Sequence, residues 1–494
     1  MTTTACSTNQ TLCKFWPWPK PDPPAPPPPS GDVEFSYNPQ DRSVLDAGTV
    51  VIGGVGAGPT VEKAKLNGAN PAKDGKYVFA PGEQGFVGAL AFSSVARTIK
   101  IFEEALGEPI RWAFNGTQLR INADAGRDLN AFYSRQGKSL NFFHETDPVT
   151  RQVVYSGGSG EVAAHEAGHA ILDGLRPGYL GAWSPDPGGF HESFGDVLAM
   201  LVCLQDDRCL QRVVEQTGGD LSIPNMASHL GEELGTAINN TTGKNVTGGN
   251  YTRTAINSFV WQDPSTLPEK GGPDQLGRAV HSYSRLWTGS FYDVLKGMVN
   301  SNREQGMEPF QAIRAASTEA LKLYGGLMKT APRGDHTYRD MARALVAADR
   351  QYNNGARSEL ITRVFTDRRI LNGREDAETP SFAQADARVY QSEEESTRPQ
   401  RVLLQGPEFR QFDGAVVDNL VDKSASMFQE AESADRVKDS LKHLIAAGRI
   451  LYTDPGKPVS EKDLFDPHGQ PYTGVVRWEN GQMVIERVKI LSTR

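Results

Sequence analysis

His165-Glu166-Ala-Gly-His169 carries two imidazoles four residues apart. On a helix that spacing puts both rings on one face. Two imidazoles so placed can grip a divalent cation, and the Glu between them can act as base toward a cation-bound water. Two ligands hold zinc poorly: a structural site takes four protein ligands, a catalytic site three and a water. The third ligand must come from a neighbouring element. Glu192 is the best candidate, on the next predicted helix across a loop. Cys203 and Cys209 compete, but lie past that helix's metal-facing turn. Asp196 stands four residues beyond Glu192 and Asp173 four beyond His169. Each could accept the distal N–H of a ligating His and fix its tautomer. Each could equally be a surface or capping carboxylate. A lone His-Glu-x-x-His arises by chance in unrelated helices; paired with Glu192-x-x-x-Asp196, chance explains it poorly.

The elements that must position these residues follow from periodicity. Residues 90–106 have apolar residues at helical spacing and a stop at Gly107. Strands are expected over Gln118–Ala123, Leu129–Ser134, Leu140–His144 and Val153–Tyr155, with turns at Gly126 and Gln136-Gly137. Ser156-Gly-Gly-Ser-Gly160 then leads into the helix of the His pair, about 160–175. Residues 176–189 read as a Gly/Pro-rich loop, and a second helix is expected over about 190–204. Further helices are expected near 283–299, 307–323, 337–350 and 355–366. Strands precede helices, and the metal-type helix lies at the boundary where clefts are favoured.

Four segments resemble the thermolysin-like gluzincins, zinc peptidases of the thermolysin and fungalysin groups. They are His165–Asp173, Phe190-His-Glu192-Ser-Phe-Gly-Asp196, Asn130-Ala-Phe-Tyr133, and the stretch from Ala279-Val-His281 to Asp293. The resemblance spans roughly 90–370. It implies an α+β, two-lobed zincin catalytic domain: a β-rich lobe over 36–159 and a mainly helical, zinc-binding lobe over 160–373. It implies one catalytic zinc on His165, His169 and Glu192, and Glu166 as general base. It also implies His281 as the donor to the oxyanion and Tyr179 as a helper from the intervening loop. Asn130, Ala131 and Phe132 would form an open edge strand on which an extended peptide adds. Asp274 is the nearest acid partner for His281. The family's substrate-holding Arg has no match before Asp263-Pro264, where Arg253 is the nearest substitute. Calcium fits the family, but no acidic cluster follows Glu192 to support it. The family's large inhibitory propeptide is also missing ahead of the first matching helix. Either specificity spares the host or another device restrains the enzyme; the tail and the C-terminal domain are candidates for that restraint or for targeting.

The rest of the 494 residues bounds these expectations. Residues 1–35 are a Pro-rich extended tail, 374–400 a polar linker, and 401–494 a small appended α+β domain. That domain should hold strands at Arg401–Gln405, Val475–Trp478 and Met483–Ile490 and a helix near 433–446. The tail and this domain are candidate sites for a partner. The 52 Lys and Arg against 60 Asp and Glu leave a net charge of −8, so no basic surface advertises nucleic acid. No apolar run reaches the ~18–20 residues of a spanning helix. No signal peptide is recognisable, which points to a cytoplasmic protein or export without a cleaved signal. Cys6/Cys13 and Cys203/Cys209 read as free thiols, with two short-loop disulfides as the alternative. The expected function is a zinc metalloendopeptidase acting on peptides or proteins. The alternatives are a zinc hydrolase of a non-peptide amide or ester, and a non-catalytic zinc-containing binding module.

Overall fold

In the computed structural model, residues 31–68, 72–378, 397–422 and 427–492 are described. The expected tail lies outside them up to residue 30, as do Cys6, Cys13 and the middle of the expected linker; the tail's last part, residues 31–35, is corrected to strand. The fold is α+β. A hairpin of β1 (Gly31–Tyr37) and β2 (Gly48–Val55) pairs Phe35 with Val50. It packs on α1 (Phe86–Leu106), whose Phe92, Val95, Ile99, Phe102 and Leu106 repeat at three- and four-residue steps and are buried. Gly107 ends α1 in the left-handed region, at φ 79°.

The expected strands form as β4 (Leu119–Asn122), β5 (Ala131–Ser134), β6 (Ser139–Phe142) and β8 (Val153–Tyr155), the last paired with β7 (His144–Thr146). A five-stranded sheet has the order β16-β5-β6-β4-β3, where β3 is Ala64–Leu66 and β16 is Ile490–Ser492. β5 is therefore paired on both sides, with β6 and β16, both antiparallel. Of the expected open edge at Asn130, Ala131 and Phe132, Phe132 is corrected here: it pairs with Ser492 as well as with Asn141. The expected strand Met483–Ile490 divides at residues 488–489. Its first part, β15 (Gln482–Arg487), stays in the C-terminal sheet, and its end crosses to β5.

Ser159 starts α2 (Gly160–Leu175) by accepting the Val162 N–H, a side-chain cap. α3 (Pro185–Cys203) begins earlier than expected, through Pro185-Asp-Pro-Gly-Gly. Proline is tolerated in a first helical turn, where its missing N–H would have no partner anyway. The two glycines are places of close approach. A Cβ on Gly188 would stand 2.7 Å from Val280 Cγ1, and one on Gly189 2.5 Å from the Tyr338 hydroxyl. Helices α4 (Asp207–Thr217) and α5 (Glu232–Thr242) follow, with β9 (His229–Leu230) and β10 (Arg253–Thr254) paired on either side of α5. Then come α6 (Val280–Glu304), α7 (Pro309–Thr330), α8 (Tyr338–Tyr352), α9 (Ser358–Asp367) and the short α10 (Arg374–Glu378). One hydrophobic core joins α1, α2, α3, α6, α7 and α8 to the strands.

The C-terminal unit is a five-stranded sheet, β11-β12-β15-β14-β13, with α11 (Met427–Ala446) against it. Val402, Val417, Val437, Leu441, Val476 and Ile485 form its own core. The strands are β11 (Thr397–Leu403), β12 (Val416–Asp422), β13 (Ile450–Leu451) and β14 (Gly474–Glu479), with β15. β12 had no counterpart among the expected strands. Cys203 and Cys209 are free and buried. No helix among the described residues is long and apolar enough to cross a membrane.

Candidate metal centre

α2 and α3 cross where each lacks a side chain. A Cβ on Gly168 would meet Gly195 Cα at 3.0 Å, and one on Gly195 would meet His165 Nδ1 at 2.7 Å. The crossing brings the rings of α2 against the carboxylates of α3. His165 Nε2 lies 3.5 Å from Glu192 Oε2, and His169 Nε2 lies 3.7 Å from Glu192 Oε1. His281, in the first turn of α6, points Nε2 at Glu192 Oε2 from 3.3 Å and is 29% exposed. His165, Glu166 and His169 each offer a ligand atom, all within 4.8 Å of one another.

Four of these atoms are buried without a hydrogen-bond partner among the described residues: His165 Nε2, His169 Nε2 and both Glu192 carboxylate oxygens. Leaving a buried acceptor or donor unmet costs ~1–3 kcal/mol, more when charged, so four converging orphans ask for a shared partner. A cation fits. Two ligand atoms each ~2.1 Å from one tetrahedral ion lie about 3.4 Å apart, close to the spacings found. Burial works against charge on Glu192, yet His281 and His169 hold its carboxyl well below the usual range.

The other face of each imidazole is also occupied. His165 Nδ1 is 3.0 Å from Asp196 Oδ1. Arg253 grips Asp196 with two bonds, Nη2 to Oδ1 at 2.7 Å and Nε to Oδ2 at 3.1 Å. Burial disfavours a charged His165, but Asp196 and Glu192 outweigh it and lift its pKa to about 9. A proton therefore competes with a cation for this ring. His169 Nδ1 is 3.1 Å from His191 Nδ1. Burial holds His169 well below its usual pKa and His191 down at about 3, so both are neutral. With His169 donating to His191, the lone pair of His169 Nε2 faces Glu192.

No family model and no curated protein matches the chain.

The structure thus brings together His165, Glu166, His169, Glu192, Asp196 and His281. It does not bring Asp173 to a histidine. Asp173 accepts from Tyr133 Oη at 2.7 Å and from Arg135 Nε at 2.7 Å, so it ties the end of α2 to β5 and to Arg135 just past it. His191, one residue before Glu192, supplies the partner that Asp173 was expected to be for His169. Tyr179 is a core residue. Its hydroxyl donates to the Pro332 carbonyl at 2.5 Å, and its ring packs on His336 with centroids 4.3 Å apart. Asp274 sits exposed on the loop before α6, where its charge acts on Arg285. Arg253 is a partner of Asp196 rather than an open cation. Asn130 and Ala131 are buried where β5 begins, with the Asn130 carbonyl accepting from Ser156 Oγ at 2.8 Å. Phe132 packs against Phe465, with ring centroids 5.4 Å apart.

A second acidic group lies one turn before His165. Asp41, Glu161 and Glu232 place ligand atoms within 4.8 Å of one another, all buried. Both Glu232 oxygens and Asp41 Oδ1 lack a hydrogen-bond partner among the described residues. Burial raises all three carboxyls, Glu232 to about 8. The sequence shows no acidic cluster after Glu192, the place where the resemblance would put one. It forms instead from three distant elements: the segment after β1, the first turn of α2 and the start of α5.

Proposed function

We propose that the chain is a zinc-dependent metalloendopeptidase, with the strand-rich and helical parts as the two lobes of a zincin. The observation that carries this is the buried, unpartnered set of His165 Nε2, His169 Nε2 and the Glu192 carboxylate, with Glu166 beside it. A structural zinc site needs neither an extra buried Glu nor a part-exposed His281. Two imidazoles and one carboxylate are a borderline donor set suited to zinc, with one position left for chemistry. Bound there, zinc supplies a Lewis acid that polarises a carbonyl and acidifies water.

The chain's own residues do the rest. Asp196 fixes the His165 ring and Arg253 keeps Asp196 ionised. His191 fixes His169. Glu166 takes a proton from the attacking water and returns it to the leaving amine. His281 Nε2 donates to the carbonyl oxygen as charge develops there; one such donor contributes ~2.7–4 kcal/mol. Asp41, Glu161 and Glu232 are hard oxygen ligands and suit calcium, which would brace the start of α2.

The test is metal analysis joined to a peptide-library digest. The expected result is one zinc per chain, cleavage lost to chelator and restored by zinc. Glu166→Gln should keep zinc and lose at least ~100-fold in rate, the usual contribution of a positioned base. Protein purified without chelator that carries no zinc would overturn the proposal. A second reading, a zinc hydrolase of non-peptide amides or esters, draws on one observation: β5 already carries β16. Turnover of small amides with an inert peptide library would favour it.

A further inference from the structure

The β5 edge beside the candidate metal centre is taken by the chain's own C-terminal unit. Ile490 pairs with Ser134, Leu491 with Tyr133 and Ser492 with Phe132. The ladder continues where the Arg135 N–H donates to the Lys489 carbonyl at 3.4 Å.

The direction matters. The Asn130 carbonyl is tied to Ser156, just ahead of α2, and Tyr133 is tied to Asp173 near its end. β5 therefore runs the same way as α2. β16, antiparallel to β5, runs from the end of α2 back toward the turns that carry His169 and His165. An extended peptide laid antiparallel on β5 would take this same course. Its backbone would use the same N–H and C=O groups, because strand addition reads main chain first and side chains second.

β16 is delivered by a built support. β15 ends at Arg487, three positions before β16 begins. Val488 and Ile490 pack with Leu464 and Val475 of the C-terminal unit and with Phe132 of β5. Phe465 closes over Phe132. A tethered strand acts at an effective concentration of ~mM, so a free peptide of ordinary micromolar affinity meets a strong competitor.

We propose that β16 is a built-in competitor: residues 490–492 occupy the β5 edge that a peptide substrate needs. The C-terminal unit thereby restrains the site until β16 is displaced. The inference rests on the peptidase reading for what is restrained, but not for who holds the edge.

The test uses the full chain and Leu491→Pro. The Arg135–Lys489 bond sets the register, so Leu491 also turns its N–H toward β5; proline removes that donor. The probe is a labelled peptide copying residues 486–492, Glu-Arg-Val-Lys-Ile-Leu-Ser. It should bind Leu491→Pro at least tenfold more tightly than the parent chain, and cleavage of a model peptide should rise at least tenfold at equal zinc content. Melting curves report folding, and Ile490→Asp serves where the proline variant fails to fold. Equal probe binding by variant and parent overturns the occupancy. Tighter binding with unchanged cleavage overturns the restraint. If zinc-loaded protein of both kinds cleaves no peptide, the peptidase reading and the restraint fall together, while the binding arm still decides whether β16 owns the edge.

Discussion

Glu192 is faced by three imidazoles, and two of them are steered from behind, His165 by Asp196 and His169 by His191. That arrangement decides what substitution should do. Asp196→Asn removes the charge that holds His165 and leaves Arg253 buried without its counter-ion. Zinc affinity should fall ~10–100-fold, as expected for a lost partner behind a ligand. Competition with a chromophoric chelator measures it, and an affinity unchanged within twofold would refute the role. Gly195→Ala is the sharper case. Alanine favours helix over glycine by ~1 kcal/mol, so on an open face it would stabilise. Here its Cβ meets the His165 ring at 2.7 Å, so both metal affinity and Tm should drop. A raised Tm with full zinc content would show that the α2–α3 crossing has slack. Spacing alone nominated Glu192 and Asp196, because an i, i+4 pair on a helix shares a face whatever the fold. His191 was not readable that way. A residue next to a ligand normally points elsewhere, and only the approach angle of α3 turns its ring onto His169.

Helices and strands were legible where their pattern was local, as in α1 and α2. They were not where the deciding contact was distant. Pro185–Gly189 reads as loop, yet helix α3 includes it because α6 and α8 press on the two glycines. Asp186, in that turn, is fully buried. Burial lifts its carboxyl to about 7, against the pull of the Tyr338 N–H and the Arg436 charge, with Asp335 and Asp340 adding repulsion. A carboxyl raised in the folded state contributes stability that is full below its unfolded pKa and is lost as pH rises through about 7. Asp186→Asn keeps an acceptor for Tyr338 and should flatten this loss. It should be near neutral at pH 4 and more stable than the parent at pH 8, by up to a few kcal/mol; denaturant melts at the two pH values decide it. The acidic cluster at the start of α2 offers a second element-scale test. Calcium at ~100 times its dissociation constant should add ~2.7 kcal/mol, read as a rise in Tm. Glu161→Gln should abolish the rise while leaving zinc in place. A Tm indifferent to calcium in the parent would mean the three carboxyls share protons instead.

At the scale of the whole chain, the C-terminal unit is fastened to the helical part as well as to β5. Trp183, in the loop before α3, belongs to the C-terminal core, and its Nε1 donates to the Asp418 carbonyl at 3.1 Å. Asp335, between α7 and α8, accepts from Ser433 Oγ and Arg436 Nη2 of α11, each at 2.7 Å, and from Ser184. Its N–H donates to the Leu420 carbonyl at 3.0 Å. None of this was visible in the sequence, since a composition shift marks a boundary but says nothing about what crosses it. The Asp335 side chain is wholly buried, and among the described residues Arg436 is the only cation hydrogen-bonded to it. Breaking a buried pair by removing one partner costs ~3–5 kcal/mol, mostly from the charge left behind, whereas removing both is far cheaper. Arg436→Met should therefore destabilise the chain by about that amount, and Asp335→Asn added to it should restore a large part. A double-mutant cycle on denaturant midpoints gives the coupling. Strict additivity would mean that this ion pair is not what fastens the unit. A large coupling would make this ion pair the fastening that keeps β16 seated, and loosening it in Arg436→Met should then raise binding of the 486–492 peptide to the β5 edge.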